Sequence, residues 1–190
     1  MKTNLLILTA AMSFAFAASA TAMTQDEYKA GGAKISNDYK TAKNTCGALK
    51  ANAKDICMSE AKGTEKVAKA ELESQYKPSA KNTEKVAMAK GDAAYDTAKE
   101  KCDDAAGNAK DVCVKDAKAA HVKAQEDAKV AKVSADTTNN KNEKVAESKK
   151  DASSEKREAD YKAARERCDS QSGAAKDECL NTAKTTYGMK

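Results

Sequence analysis

Six cysteines carry the most legible chemistry in this chain. They are Cys46, Cys57, Cys102, Cys113, Cys168 and Cys179, three pairs whose members stand eleven residues apart. Zinc would want clustered Cys or His at short spacings, and a redox pair or c-type haem would want C-x-x-C or C-x-x-C-H. None of these patterns occurs, and His121 is the only histidine. Structural disulfides are therefore the expectation, with no metal and no cofactor. A hydrolytic triad needs a histidine that can reach a nucleophile. His121 stands on a Lys/Ala-rich stretch and reads as a surface residue. Carboxylates are plentiful, but there are few large apolar residues to build a dry pocket that would raise a carboxyl pKa. GNAKD lacks the strand and glycines of a phosphate loop. No catalytic residue is expected, and the chain does not read as an enzyme.

The cysteines sit in three segments that align without a gap: YKTAKNTCGALKANAKDICMSEAK from Tyr39 to Lys62, YDTAKEKCDDAAGNAKDVCVKDAK from Tyr95 to Lys118, and YKAARERCDSQSGAAKDECLNTAK from Tyr161 to Lys184. Each has Tyr, then Cys seven residues on, then a second Cys. The offsets between segments are 56 and 66 residues, so the connecting stretches vary while the unit does not. Internal repetition of this kind sets the architecture before any local detail does.

Each unit reads as helix, tight turn, helix. On the entering side Tyr28, Gly32, Ile35, Tyr39, Ala42 and Cys46 follow a 4,3,4,3,4 spacing, one stripe of a helix. Met88, Gly91, Tyr95, Ala98 and Cys102 keep that register, as do Tyr161, Ala164 and Cys168. On the leaving side Cys113, Ala117, Ala120, Ala124, Ala128, Ala131 and Ala135 form an alanine stripe with a period near that of a straight helix or slightly right-handed coil. Between the cysteines, Gly107 and Gly173 are placed to end a helix in the left-handed conformation, with Ala51 at the aligned position. Asn52 and Asn108 are candidate caps for the following helix, and Asp55, Asp111 and Asp177 favour its dipole. Six cysteines allow fifteen connectivities. A hairpin selects Cys46–Cys57, Cys102–Cys113 and Cys168–Cys179, because each pair brackets a turn. Tyr39, Tyr95 and Tyr161 are expected to pack across their hairpins. The fold class expected is all-α, extended helices in three disulfide-tied hairpins with no compact large core.

The first residues point to export. Lys2 is followed by an apolar run from Leu5 to Phe16 and by Ala18-Ser19-Ala20-Thr21-Ala22, a secretory signal with cleavage after Ala20 or, preferably, Ala22. The expected organisation is a signal peptide over 1–22 and hairpin units over 23–78, 79–137 and 138–190, broken at Lys77-Pro78-Ser79 and at Asp136-Thr137-Thr138-Asn139-Asn140. Beyond residue 22 there is no Phe or Trp, and only thirteen residues are Val, Ile or Leu. So little apolar bulk excludes a large core. The charge there is nearly balanced, 33 basic against 29 acidic residues, a net of +4. Pairs such as Glu65–Lys69, Glu73–Lys77 and Glu158–Lys162 have the i,i+4 spacing that supports solvated helices. No basic cluster interleaved with aromatics offers a surface to nucleic acid.

The unit Tyr-x6-Cys-x10-Cys, with NAKDxC and a trailing AK, resembles a group of exported Ala/Lys-rich proteins of Gram-negative bacteria, often labelled as cell-envelope biogenesis proteins similar to TolA. The resemblance covers nearly all of the chain beyond the signal. It implies a periplasmic helical protein; envelope proteins or cell wall are the expected partners. The chain departs from TolA in that a cleavable signal is expected in place of a retained membrane anchor, which leaves no stable membrane attachment. The expected role is a non-enzymatic spacer, scaffold or envelope-stress component. The alternative is a protective protein akin to Lys/Ala-rich desiccation proteins, which have little core and stay disordered until dried.

Overall fold

The computed structural model describes residues 23–135 and 141–189. The expected signal peptide and the break over residues 136–140 lie outside them. Six helices account for the described chain: α1 (Gln25–Cys46), α2 (Ala51–Tyr76), α3 (Ala80–Cys102), α4 (Gly107–Ala135), α5 (Lys141–Cys168) and α6 (Gly173–Tyr187). The all-α, disulfide-tied architecture read from the sequence is what forms.

Local chemistry sets several of the ends. At the start of α1 the Thr24 hydroxyl accepts the Glu27 amide while the Glu27 carboxylate accepts the Thr24 amide at 2.7 Å, a reciprocal cap written in the sequence as T-x-x-E. Pro78 ends α2, and the Ser79 hydroxyl accepts the Asn82 amide to start α3. The turns inside the hairpins differ from the sequence reading. Gly107 and Gly173 do take the left-handed conformation (φ +55° and +57°), but they open α4 and α6 rather than close α3 and α5, which end at Cys102 and Cys168. Ala51 is forced into the same conformation at φ +48°. The three aspartates are the fifth residues of α2, α4 and α6, just past the first turn. Asn52 is not a cap. Its amide donates to the Glu100 carbonyl at 2.9 Å and to the Asp104 carboxylate at 2.7 Å, reaching the end of the next hairpin, where free carbonyls need donors.

Packing follows a simple rule among the described residues: each helix touches only its neighbours in the chain. The helices run antiparallel in a single open layer, so the three hairpins fold against one another without closing into a bundle. The α2–α3 and α4–α5 contacts between hairpins are as extensive as those within them. The interior is correspondingly thin. The buried apolar residues are Cys46, Cys102 and Cys168 with seven alanines, while Leu49 is exposed. Small residues let the backbones close up. A methyl on Gly63 would come within 2.7 Å of the Ala93 Cβ, and one on Gly31, not Gly32 of the expected stripe, would strike Leu72.

The single alanine stripe expected on α4 is half of the answer. Ala128 is buried, but Ala131 and Ala135 are exposed, and the other buried alanine is Ala119. An inner helix of a one-layer array must pack on two sides, and small residues flanked by lysine and glutamate stems serve the second side without an apolar stripe to announce it.

The conformational cost at Ala51 gives a direct test. A left-handed L-residue costs about 1–2 kcal/mol, part of which glycine gives back as chain entropy. Ala51→Gly should raise unfolding stability by about 0.5–1 kcal/mol, and Gly107→Ala and Gly173→Ala should each lower it by about 1 kcal/mol, measured by urea titration of the oxidised protein.

Candidate functional site

Three disulfides join the pairs that the hairpins selected: Cys46–Cys57, Cys102–Cys113 and Cys168–Cys179, with Cα–Cα distances of 5.5, 5.6 and 5.7 Å. All six thiols are oxidised. The first cysteine of each pair is the last residue of its helix and is 0–1% exposed. Next to two of the bridges an ion pair spans the turn: Lys110–Asp103 at 2.9 Å and Lys176–Asp169 at 2.9 Å. Hydrogen bonding to Asp103 raises the Lys110 pKa, and Lys176 in the same way lowers that of Asp169. In the first hairpin Gly47 aligns with these aspartates, and the strap is missing.

Toward the open ends, aromatic pairs clamp the hairpins. Tyr95 stacks on His121 at 4.6 Å with the planes 7° apart, and Tyr161 meets Tyr187 at 6.5 Å. These two pairs occupy aligned positions, so Tyr95 and Tyr161 pack across their hairpins. Tyr39 is half-buried in α1. The residue aligned with His121 and Tyr187 in its hairpin is Glu65, and the stacked pair there is Tyr28–Tyr76 at 4.5 Å, further from the bridge. The Tyr28 hydroxyl donates to Glu73 at 2.8 Å. That bond takes Glu73 away from the i,i+4 partner expected in Lys77, whereas Glu65–Lys69 and Glu158–Lys162 form as the spacing suggests.

The densest polar cluster joins three helices. Asp92 of α3 accepts Lys66 Nζ from α2 at 2.6 Å on Oδ2, and accepts His121 Nε2 from α4 at 2.7 Å on Oδ1. His121 is not the surface residue its lysine-rich surroundings suggested: its side chain is 10% exposed. With Asp92 Oδ1 as acceptor, His121 Nε2 is the donor. Nδ1 then lies buried with no hydrogen-bond partner among the described residues. A histidine acting as general base must offer a nitrogen to substrate. Here one nitrogen is committed to Asp92 and the other faces protein, so His121 braces Asp92 within its own hairpin while Lys66 reaches that carboxylate from the preceding one. Burial pushes the Asp92 carboxyl up, but the bonds from Lys66 and His121 outweigh it and hold the pKa below the usual carboxylate range. Lys66 and Asp92 carried no sequence signal, because they belong to different units and meet only when α2 lies against α3.

A second feature between the hairpins is a ladder of ion pairs in matched register. Glu60–Lys101 at 3.1 Å and Glu71–Lys90 at 2.8 Å join α2 to α3. At the aligned positions Asp116–Arg167 and Asp127–Lys156 join α4 to α5. Among the described residues no group of three or more His, Cys, Asp or Glu is placed to hold a metal ion, and no helix is long and apolar enough to cross a membrane.

Fold and site together define an open, single-layer array of disulfide-stapled antiparallel α-hairpins, held between hairpins by ion pairs, among them Lys66–Asp92. No family model, curated protein or solved structure matches the chain. Disulfides of this kind belong to an oxidising environment, extracellular or periplasmic.

The cluster predicts a pH dependence. Because the folded-state pKa of Asp92 is depressed, its stabilisation is fully present above the ordinary carboxylate value near 4 and is lost as pH falls through the folded value. Asp92→Asn should cost about 1–2 kcal/mol at neutral pH, and the gap from wild type should close as pH falls through the depressed folded-state value, read from denaturant titrations across the acid range. A gap independent of pH would remove the carboxylate from the account.

Proposed function

We propose that the chain acts in the periplasm, after removal of residues 1–22, as a non-enzymatic spacer or scaffold that presents its helical faces to envelope proteins or cell wall. The observation that carries this reading is the neighbour-only packing: every helix keeps two long sides in solvent, so the layer offers much surface and little interior. The bridges support an exported location, since structural disulfides persist where thiols are not kept reduced. The staples also suit a spacer. Each closes a loop of about twelve residues, for which the chain-entropy estimate is about 3 kcal/mol. A buried alanine methyl contributes about 0.8 kcal/mol. Three bridges therefore outweigh all seven buried alanines, and the individual hairpins persist because of the cross-links.

Two measurements test the reading. Cross-linking in intact envelopes followed by affinity capture should recover a protein or murein partner that contacts the broad faces, and recovery of free monomer alone would overturn it. Circular dichroism in dilute buffer separates it from the desiccation-protectant alternative. The oxidised protein should be predominantly helical and lose cooperative melting on reduction. A coil in the oxidised state would favour the protectant.

A further inference from the structure

We infer that the outer faces of α1 and α6 are caps, built to turn away a second copy of this chain that would otherwise extend the array edge to edge. The alignment of the three units assigns each inner contact a register position, and the same positions can be read on the two outer faces. Where α2 meets α3, Gly63 lies against Ala93, so close that a methyl on Gly63 would sit 2.7 Å from the Ala93 Cβ. The aligned residues between α4 and α5 are Ala119 and Ala159, again small, with Ala119 5% exposed. On the outer face of α6 that position holds Thr185, and on the outer face of α1 the place of Ala93 and Ala159 is taken by Asn37, both exposed. A β-branched or amide side chain at the point of closest approach has no room at the spacing used inside.

The ion-pair ladder tells the same story independently. Its acidic position is Glu60 on α2 and Asp116 on α4, but Thr182 on α6. Its basic position is Lys101 on α3 and Arg167 on α5, but Thr45 on α1, where the hydroxyl donates to the Thr41 carbonyl of its own helix. The second basic position, Lys90 on α3 and Lys156 on α5, is Lys34 on α1. There it is engaged at 2.6 Å by Asp38 of its own helix. Ion pairs of this exposure contribute little energy each but set register and partner choice, and small residues set the distance. The small residue is replaced on both edges, and of the ladder positions only Lys34 keeps its charge, turned to a partner on its own helix. Stacked arrays need terminal faces of this kind to remain soluble, because an inner-type face left open would recruit further copies into a head-to-tail filament.

The full oxidised chain should sediment as one monomeric species from micromolar to millimolar concentration, and species that grow with concentration would overturn the inference. Two lengthened chains test the register argument itself. Duplicating residues 79–137 brings α4 against a second α3, with Asp116, Asp127 and Ala119 facing Lys101, Lys90 and Ala93. That hairpin should dock, giving a single thermal transition at or above the wild-type midpoint. Duplicating residues 138–190 brings α6, with Thr182 and Thr185, against a second α5. The added hairpin should melt as a separate transition and appear undocked by small-angle scattering. Introducing Thr182→Asp and Thr185→Ala into that chain should dock it. Equal docking of the two unmodified duplications, or failure of the first to dock, would overturn the assignment.

Discussion

The cross-link at the closed end of each hairpin is the constraint on which the rest of the structure depends. A pair of antiparallel helices lined by alanine and glycine buries too little area to hold together in water, since most helical stability in proteins comes from packing an apolar face. Cys46, Cys102 and Cys168 are the most deeply buried side chains of their size, and each ends its helix where the chain reverses. Fixing the reversal covalently removes loop-closure entropy from the unfolded chain, whatever the helices bury afterwards. The aromatic pairs and the turn-spanning ion pairs then need only align two helices that are already tethered.

From that constraint follows the one-dimensional character of the molecule. With contacts confined to chain neighbours, stability is a sum over hairpins and the interfaces between them, as in other stacked architectures. Two kinds of interface alternate. Within a hairpin the link is covalent and aromatic. Between hairpins it is polar: matched ion pairs, the Asn52 contact to the end of α3, and the Lys66–Asp92 bond, whose carboxylate His121 braces from within its own hairpin. Polar interfaces on small residues cost little to keep wet at their margins, which suits a layer with solvent on both sides.

The same plan bears on chemistry. A catalytic or ligand site needs enclosure, which sets pKa values and excludes water. The Lys66–Asp92–His121 cluster spends its groups on one another, with both Asp92 oxygens and His121 Nε2 engaged. What the layer offers outward is long helix surface of mixed charge.

The sequence by itself determined the helices, the hairpins, the cysteine pairing, the position of the left-handed turn residue and the break at Pro78. Each rests on local rules, on spacing along one helix or on the conformational freedom of one residue, and such rules act before any tertiary contact forms. The meeting of Lys66, Asp92 and His121, the turning of Asn52 toward the next hairpin, the burial of Ala119 and the choice of an open layer over a bundle were decided only by the tertiary structure. Their partners lie on different helices far apart in the chain, and the small residues and lysine stems that line those contacts leave no periodic signature. A one-sided stripe is visible as hydrophobicity. A second packing face made of methyls and ion pairs becomes visible only when the neighbouring helix is laid against it.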